Sequence, residues 1–275
     1  MPLYLWQKRI FKSSCHLFSM LDEIIMSIIQ AATEFLPVSS DGHLALYSNL
    51  FSEPSLFFIT FLHISSLLAV LIFTRKEIKF LLSFKNNANK LWSYIIIATI
   101  PGALIGFLAK DLIEQAFSSL LVTGIGFLFT GTIILFTRIK KNKKETEITS
   151  KKVLFIGLMQ SLALLPGVSR SGMTISTALF SGIEKEKAVK FSFLLFIPLV
   201  IGAFSLEMFD YYKSNISVNI PATTLLISFA ICFLLSLLFL NLLSYIIKKG
   251  KFWMFSFYCF LIGIITLILH FTISS

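Results

Sequence analysis

The order of apolar and polar residues along the chain predicts a bundle of membrane-spanning helices. Six apolar windows are each long enough to cross a bilayer as one helix. They lie at about 56–74, 92–109, 119–137, 190–207, 222–247 and 252–272. We therefore expect an all-α integral membrane protein with about six transmembrane helices.

Two further apolar stretches, 24–47 and 153–183, are interrupted by Pro, Gly and several hydroxyl residues. Backbone freed by such a break is tolerated at membrane depth only when it is buried in protein or lines a wet cavity. Each stretch therefore predicts a re-entrant hairpin made of two short helices.

The two interrupted stretches contain related motifs, QAATEFLPVSSDGH at 30–43 and QSLALLPGVSRSG at 160–172. Aligned with a one-residue gap, both read Gln, an apolar run, Leu-Pro, Val, a Ser-rich triplet and Gly. This predicts an internal repeat within a single polytopic domain. We expect its halves at about 20–139 and 153–275, preceded by an N-terminal extension at 1–19.

Basic residues predict how the repeat is oriented. Of the 24 Lys and Arg residues, 18 lie in four loops, and such loops are typically cytoplasmic. The loops are 75–90, 138–152, 184–190 and 248–251. The first hairpin would then enter from outside and the second from the cytoplasm, giving an inverted-topology repeat with the site where the hairpins meet. Lys8, Arg9 and Lys12 fall on the outer side and oppose this assignment, although an interfacial helix would tolerate them.

Composition excludes other classes of protein. The chain is 56% hydrophobic and 14% charged, whereas a soluble domain is about 25% charged. Loop charge that orients the protein explains the net charge of +10, so we expect no nucleic-acid partner. The cysteines, Cys15, Cys232 and Cys259, lack metal or redox spacing and are interpreted as packing residues.

Glu34 is an acidic residue of the first hairpin, and Gln30 lies one turn before it on the same helix face. A carboxylate in hydrocarbon needs a cation or an aqueous cavity. Carboxylate and amide oxygens suit Mg²⁺ or Ca²⁺. A structural salt bridge between Glu34 and Arg170 is the alternative.

Ser39 and Ser40 follow the break, where free N–H groups of a new helix would favour an anion such as phosphate. Either serine could instead be a plain N-cap. His43 lies three residues beyond Ser40 and could act as acid or base toward its hydroxyl. Asp41 is a candidate metal ligand or a helix cap, and we favour the cap.

Arg170 is the basic residue of the second hairpin, next to Ser169, Ser171 and Gly172. A guanidinium binds phosphate through two parallel hydrogen bonds, and nearby glycines let backbone N–H groups approach the same oxygens. A metal, an arginine, helix N-termini and a hydroxyl beside a histidine are the groups that phosphoryl transfer needs.

Two other histidines lie in apolar spans. His63, within 56–74, either lines the cavity or is an ordinary core residue. His270 is interpreted as a packing residue.

At these motifs the sequence resembles the undecaprenyl pyrophosphate phosphatase family of the bacitracin-resistance type. Gln30 to His43 and Pro166 to Gly172 carry the resemblance, and weaker similarity continues through 62–70 and 100–102. The family commonly has Glu where this chain has Gln30, and Thr where it has Asp41.

The resemblance implies removal of the terminal phosphate from undecaprenyl pyrophosphate in a bacterial inner membrane, with tolerance to bacitracin. It implies that Glu34 and Gln30 hold the divalent metal and that Arg170 clamps the pyrophosphate. Ser40 or His43 would act at the reacting phosphorus. Our hypothesis is attack by Ser40 assisted by His43, in a site that opens outward, with the prenyl chain entering laterally from the membrane.

Other readings stay open. Broken helices in inverted repeats also occur in transporters, so Glu34, His43 and Arg170 could transport an anionic lipid without hydrolysis. The other large class of membrane lipid phosphatases is set aside, because no His follows Ser169-Arg170 before His270. The sequence leaves open whether the protein forms a homo-oligomer.

Overall fold

The structure is a computed structural model that describes residues 16–51, 56–83, 85–138, 145–214 and 220–274. Over these ranges it contains twelve α-helices and no strand. The helices are α1 His16–Glu34, α2 Ser40–Leu50, α3 Leu56–Phe73, α4 Arg75–Leu81, α5 Asn86–Leu108, α6 Lys110–Phe117, α7 Leu120–Phe136, α8 Ser150–Ser161, α9 Arg170–Phe180, α10 Lys185–Ser214, α11 Ala222–Lys248 and α12 Phe255–Ser274. Two 3₁₀ turns lie at Leu162–Leu164 and Phe252–Met254.

Long apolar helices form the body of the molecule. Among the described residues, α5, α10, α11 and the helical run into α12 are each long and apolar enough to cross a membrane. Two more crossings result if α3 with α4, bent by 77°, and α6 with α7, bent by 95°, each count as one span. These elements coincide with the six predicted windows. The prediction of an all-α integral membrane protein is confirmed.

Both predicted helix breaks are confirmed. α1 ends at Glu34 and α2 begins at Ser40, on either side of Pro37, while Pro166 lies between α8 and α9. Proline removes a backbone donor and disfavours helical geometry at the residue before it. α2 and α9 have 11 residues each, or about 16 Å of helix, too short to cross a bilayer. The chain therefore turns back, as a re-entrant hairpin requires.

The packing of the long helices follows the predicted repeat. α1 of the first half packs against α11 of the second, and α8 of the second half packs in the equivalent way against α5 of the first. α3 packs against α10, and α7 packs against α12, so both of these pairs also join the two halves. Each hairpin is followed by three spans when the bent pairs are counted as single crossings, so the second hairpin starts on the opposite side of the membrane. The short helices do not follow this symmetry, because α2 and α9 both contact the same helix, α7.

A buried aromatic cluster fixes the end of the first hairpin. The Phe35 side chain is fully buried, and its ring meets those of Phe193 and Phe196 edge to face at centroid distances of 5.9 and 5.7 Å. Such pairs add about 0.5–1.5 kcal/mol beyond their buried area. They hold the chain directly after Glu34 against α10.

Four residues of the predicted N-terminal extension, 16–19, lie within the described part of the chain. Residues 1–15, which include Lys8, Arg9, Lys12 and Cys15, lie outside the described residues. α1 begins at His16, so the last four residues of the predicted extension belong to the first helix. The boundary of the extension at residue 19 stays a prediction.

Candidate active site

The tips of the two hairpins contact each other through side chain to backbone hydrogen bonds. The Ser171 hydroxyl donates to the Leu36 carbonyl at 3.2 Å, and the Ser39 hydroxyl donates to the Val168 carbonyl at 3.4 Å. Each hairpin thus donates a hydrogen bond to a carbonyl within the break of the other, and the Leu36 carbonyl also accepts from the Val38 amide at 2.7 Å. The predicted meeting of the two motifs is confirmed.

Two glycines permit this close approach. A Cβ atom on Gly42 would lie 2.7 Å from backbone atoms of Gly167 and 2.6 Å from the Phe127 ring. Gly167 itself has φ +86°, a conformation that side chains with a Cβ rarely adopt. Only glycines fit where the two hairpin tips cross.

The helices that leave the breaks begin with the same cap. The Ser39 Oγ accepts from the Gly42 amide at 3.2 Å, and the Ser169 Oγ accepts from the Gly172 amide at 3.1 Å. Ser39 and Ser169 are therefore N-caps. Within the described chain, the first two amides of each helix make no hydrogen bond. These amides belong to Ser40, Asp41, Arg170 and Ser171.

An ion pair connects the hairpins at their breaks. Arg170 donates from Nη2 to the Glu34 Oε1 at 2.8 Å, and both side chains are largely buried. Glu34 lies at the C-terminus of α1, and Arg170 lies at the N-terminus of α9. The helix dipole disfavours each of these charges, because each has the same sign as the helix end where it lies. Arg170 also lies 4.3 Å above the Phe196 ring and donates to the Ser192 carbonyl at 3.3 Å. The two charges therefore depend on each other.

The second carboxylate oxygen of Glu34 accepts hydrogen bonds from a hydroxyl and from an amide. Ser40 donates from Oγ to Glu34 Oε2 at 2.6 Å, and Gln30 donates from Nε2 to the same oxygen at 2.9 Å. A short O–H···O⁻ contact of this kind is a strong hydrogen bond. It places the Ser40 hydroxyl beside a carboxylate that can accept a proton.

A cavity of about 260 Å³ lies over this group. Its floor is polar and contains five of the predicted site residues. They are Glu34, Ser39, Ser40, Ser169 and Arg170. Its walls are mostly apolar and come from α3, α5, α8 and α10. The other predicted site residues, Gln30, His43, Ser171 and Gly172, lie outside its lining.

Comparison with known proteins places the chain in a family. The family model described as "Bacitracin resistance protein BacA" matches residues 23–265, which include both hairpin motifs, the first five spans and the first half of α12. The chain belongs to this family.

Proteins named undecaprenyl-diphosphatase are similar over nearly their whole length. The chain is 42% identical to one from Thermosipho africanus over 251 residues, covering 89% of this chain and 98% of that protein. It is 38% identical to one from Methanococcus maripaludis over 248 residues, covering 88% and 96%. "Undecaprenyl-diphosphatase 3" from Bacillus cereus is 38% identical over 256 residues, covering 92% and 98%.

In this BacA family member, His43 points away from the cavity. Its Nδ1 lies 2.7 Å from the Ser39 carbonyl, and its Nε2 lies 2.7 Å from the Tyr258 hydroxyl. The imidazole also stacks on the Tyr258 ring and meets Phe127 edge to face. The structure therefore does not bring His43 to the Ser40 hydroxyl, although three-residue spacing had predicted that contact. The ring instead braces the first turn of α2 against α7 and α12.

His63 is the imidazole that reaches the cavity. Its Nε2 lies 3.4 Å from Glu34 Oε2 and 3.8 Å from Asp41 Oδ1. The sequence leaves open whether His63 lines the cavity or is an ordinary core residue. The available signal was a titratable residue inside an apolar span, and the contact between α3 and the hairpin decides the matter. Asp41 also faces the cavity and does not cap α2, which Ser39 does.

Thr130 of α7 is a positioning residue that sequence reasoning missed. Its hydroxyl donates to the Gly167 carbonyl and accepts from the Ser169 amide, both at 2.9 Å. It therefore holds the turn that aims Arg170. A threonine in an apolar helix gives no sequence signal for such a role.

The residues around Glu34 form hydrogen bonds with one another in this structure. Gln30 turns its amide nitrogen to Glu34, and its own oxygen is buried without a partner in the described part of the chain. The Glu34 oxygens already accept from Arg170, Ser40 and Gln30. Across the described ranges, no group of three or more His, Cys, Asp or Glu side chains could hold a metal. Among these partners of Glu34, Arg170 carries the positive charge.

Proposed function

We propose that the chain hydrolyses undecaprenyl pyrophosphate to undecaprenyl phosphate and inorganic phosphate. The observation that carries this proposal is the Ser40 hydroxyl bonded to Glu34, whose other oxygen is bonded to Arg170 of the second hairpin. This gives a nucleophile, a base and a guanidinium in one buried site. The names of the relatives agree with it.

The shape of the cavity supports a lipid diphosphate as substrate. A volume of about 260 Å³ accommodates a diphosphate headgroup but not an undecaprenyl chain. Gly102 of α5 and Leu199 and Ala203 of α10 line the cavity. The prenyl chain therefore leaves between these helices into the lipid.

Ser40 is the nucleophile in our mechanism. Its oxygen attacks the terminal phosphorus while its proton passes to Glu34 Oε2, which already accepts that hydrogen bond. Arg170 and the free amides at the starts of α2 and α9 stabilise the charge on the transferring phosphoryl group. Glu34 therefore takes the role of base that we first assigned to His43. The alternative of His43 as nucleophile has no support from the geometry, since both its ring nitrogens have partners outside the cavity.

The predicted requirement for Mg²⁺ or Ca²⁺ remains a proposal, and we propose that the cation binds to the substrate. Pyrophosphate binds divalent cations through its own oxygens, and such a cation would neutralise charge on the leaving phosphate. In this proposal the cation arrives with the substrate and is not held by Glu34 and Gln30. No step assigned to the chain's residues depends on it.

We further propose that the cavity faces outward in a bacterial inner membrane. The basic loops put residues 75–90 and 184–190 in the cytoplasm. Ile59, Thr60 and Ala203 line the cavity and lie far along their spans from those loops. The cavity mouth is therefore in the outer half of the bilayer.

Phosphate release from undecaprenyl pyrophosphate by the detergent-purified protein tests this function. We expect release by the wild type and a loss of about 10²–10⁴-fold in Ser40→Ala, with Ser205→Ala as the matched control. Ser205 is an exposed serine of α10 that bonds only its own helix at the Ile201 carbonyl. Well-folded wild-type protein that releases no phosphate would contradict the proposal and favour a lipid transporter. Ser40→Ala with near-normal turnover would contradict the choice of nucleophile.

A further inference from the structure

His63 is held in one tautomer by its own helix. Its Nδ1 lies 2.9 Å from the Ile59 carbonyl, and a carbonyl can only accept, so the Nδ1 carries the proton. The Nε2 faces the cavity. Within the described residues it lies near two carboxylates but makes no hydrogen bond. A nitrogen in this state is available to an incoming molecule.

A two-step reaction through Ser40 needs a second base. In the first step Glu34 takes the Ser40 proton, and that proton must return to the Ser40 oxygen when the phosphoryl group leaves it. Glu34 is therefore occupied while water attacks. The other ionisable groups that line the cavity are Arg170, Asp41 and His63. Arg170 does not lose its proton in proteins.

We propose that His63 is a catalytic residue that activates the water which hydrolyses a phosphoserine at Ser40. This inference rests on the proposed function. The carboxylates of Glu34 and Asp41 on either side of the His63 Nε2 favour the positive charge that develops on the ring as it takes a proton from water. Asp41, at 3.8 Å from the Nε2, adds to this stabilisation once the ring is protonated.

Atoms and protons balance over the two steps. In the first, a bond forms between Ser40 Oγ and the terminal phosphorus, and the bond from that phosphorus to the lipid phosphate breaks. The lipid phosphate keeps the electron pair, and Glu34 keeps the proton. In the second, the water oxygen bonds to phosphorus, the bond to Ser40 Oγ breaks and Glu34 returns its proton to Ser40. The proton from water passes to His63 and leaves with the phosphate.

The variant His63→Gln separates the two steps. We expect it to release one equivalent of undecaprenyl phosphate rapidly and to turn over about 10²-fold more slowly than the wild type thereafter. Intact-protein mass spectrometry should then show one added phosphoryl group, absent in the Ser40→Ala, His63→Gln double variant. Added imidazole should speed turnover of His63→Ala. The matched control is His270→Gln, because His270 lies near the end of α12 and does not line the cavity.

The outcomes distinguish this inference from the proposed function. An active wild type together with a His63→Gln protein that turns over within about threefold of it, or that slows without gaining a phosphoryl group, would overturn the role of His63 alone. Wild-type protein that releases no phosphate would overturn the proposed function and this inference with it. A monodisperse elution profile and rescue of His63→Ala by imidazole exclude misfolding as the cause of slow turnover.

Discussion

At the scale of single residues, the site depends on which donors surround Glu34. One oxygen accepts from Arg170 and the other from Ser40 and Gln30. A buried carboxylate with fewer partners would carry a large desolvation cost. These donors stabilise the carboxylate and align the Ser40 hydroxyl with the group that we propose as its base.

Tyr258→Phe tests whether His43 acts only as a brace. The change removes the hydroxyl that partners the His43 Nε2 and leaves the cavity lining intact. We expect a loss of stability of about 1 kcal/mol and a turnover within about threefold of the wild type. Thermal unfolding in detergent and phosphate release measure the two effects. A loss of turnover as large as that of Ser40→Ala would instead place His43 in the reaction.

The same residue shows where sequence reasoning stops. The three-residue spacing from Ser40 to His43 predicts a shared helix face, but it does not reveal competing partners. The Ser39 carbonyl lies one turn before His43, and Tyr258 is more than 200 residues later in the sequence. Both satisfy the ring away from Ser40. For His63 the contact exists but no spacing predicts it, because only the packing of α3 against the hairpin brings this residue to Glu34.

At the scale of elements, two broken helices make one site because their turns lack side chains at the crossing. Pro37 and Pro166 break the helices, and the serines after them cap the new ones. The breaks depend on local chemistry, so the motifs predict them. The cap of α2 was left open, and Ser39 fills the position for which Asp41 was favoured. The sequence offered the ion pair from Glu34 to Arg170 only as the alternative to a metal site, since a charge in a membrane needs a partner of either kind.

Gly42→Ala tests the contact between the hairpin tips. The new Cβ would lie 2.6 to 2.7 Å from Phe127 and from the Gly167 backbone, so we expect a loss of about 1–3 kcal/mol of stability and a strong loss of phosphate release. Gly202→Ala is the control, because its Cβ would meet nothing within 4 Å, and an alanine within a helix gains up to about 1 kcal/mol. Equal behaviour of the two variants in thermal unfolding and activity would contradict a tight crossing.

At the scale of the whole molecule, the repeat explains why the site lies between the halves. α1 on α11 and α8 on α5 are equivalent packings, and they carry the two hairpins toward each other. Apolar windows suffice to predict the spans. They do not predict that α2 and α9 both pack on α7, because that departure from symmetry depends on tertiary contacts such as those of Thr130.

Ala203→Cys tests the direction in which the cavity opens. Ala203 is exposed and lines the cavity, while Cys232 and Cys259 are buried. With Cys15 replaced by Ser, we expect a membrane-impermeant maleimide to label the variant in intact cells. Lys249→Cys, in a predicted cytoplasmic loop, should be labelled only in inside-out vesicles. The reverse pattern would show that the cavity opens to the cytoplasm.

The central claim is that Glu34 of one hairpin and Arg170 of the other act as a single unit. A double-mutant cycle with Glu34→Gln and Arg170→Gln, read as phosphate release from undecaprenyl pyrophosphate, tests it most directly. We expect each change to lower kcat/KM by about 10²–10⁴-fold. The double variant should be within about tenfold of the weaker single variant, because groups that act together are not additive. Losses that multiply in the double variant would contradict a shared site and place the two residues in separate roles.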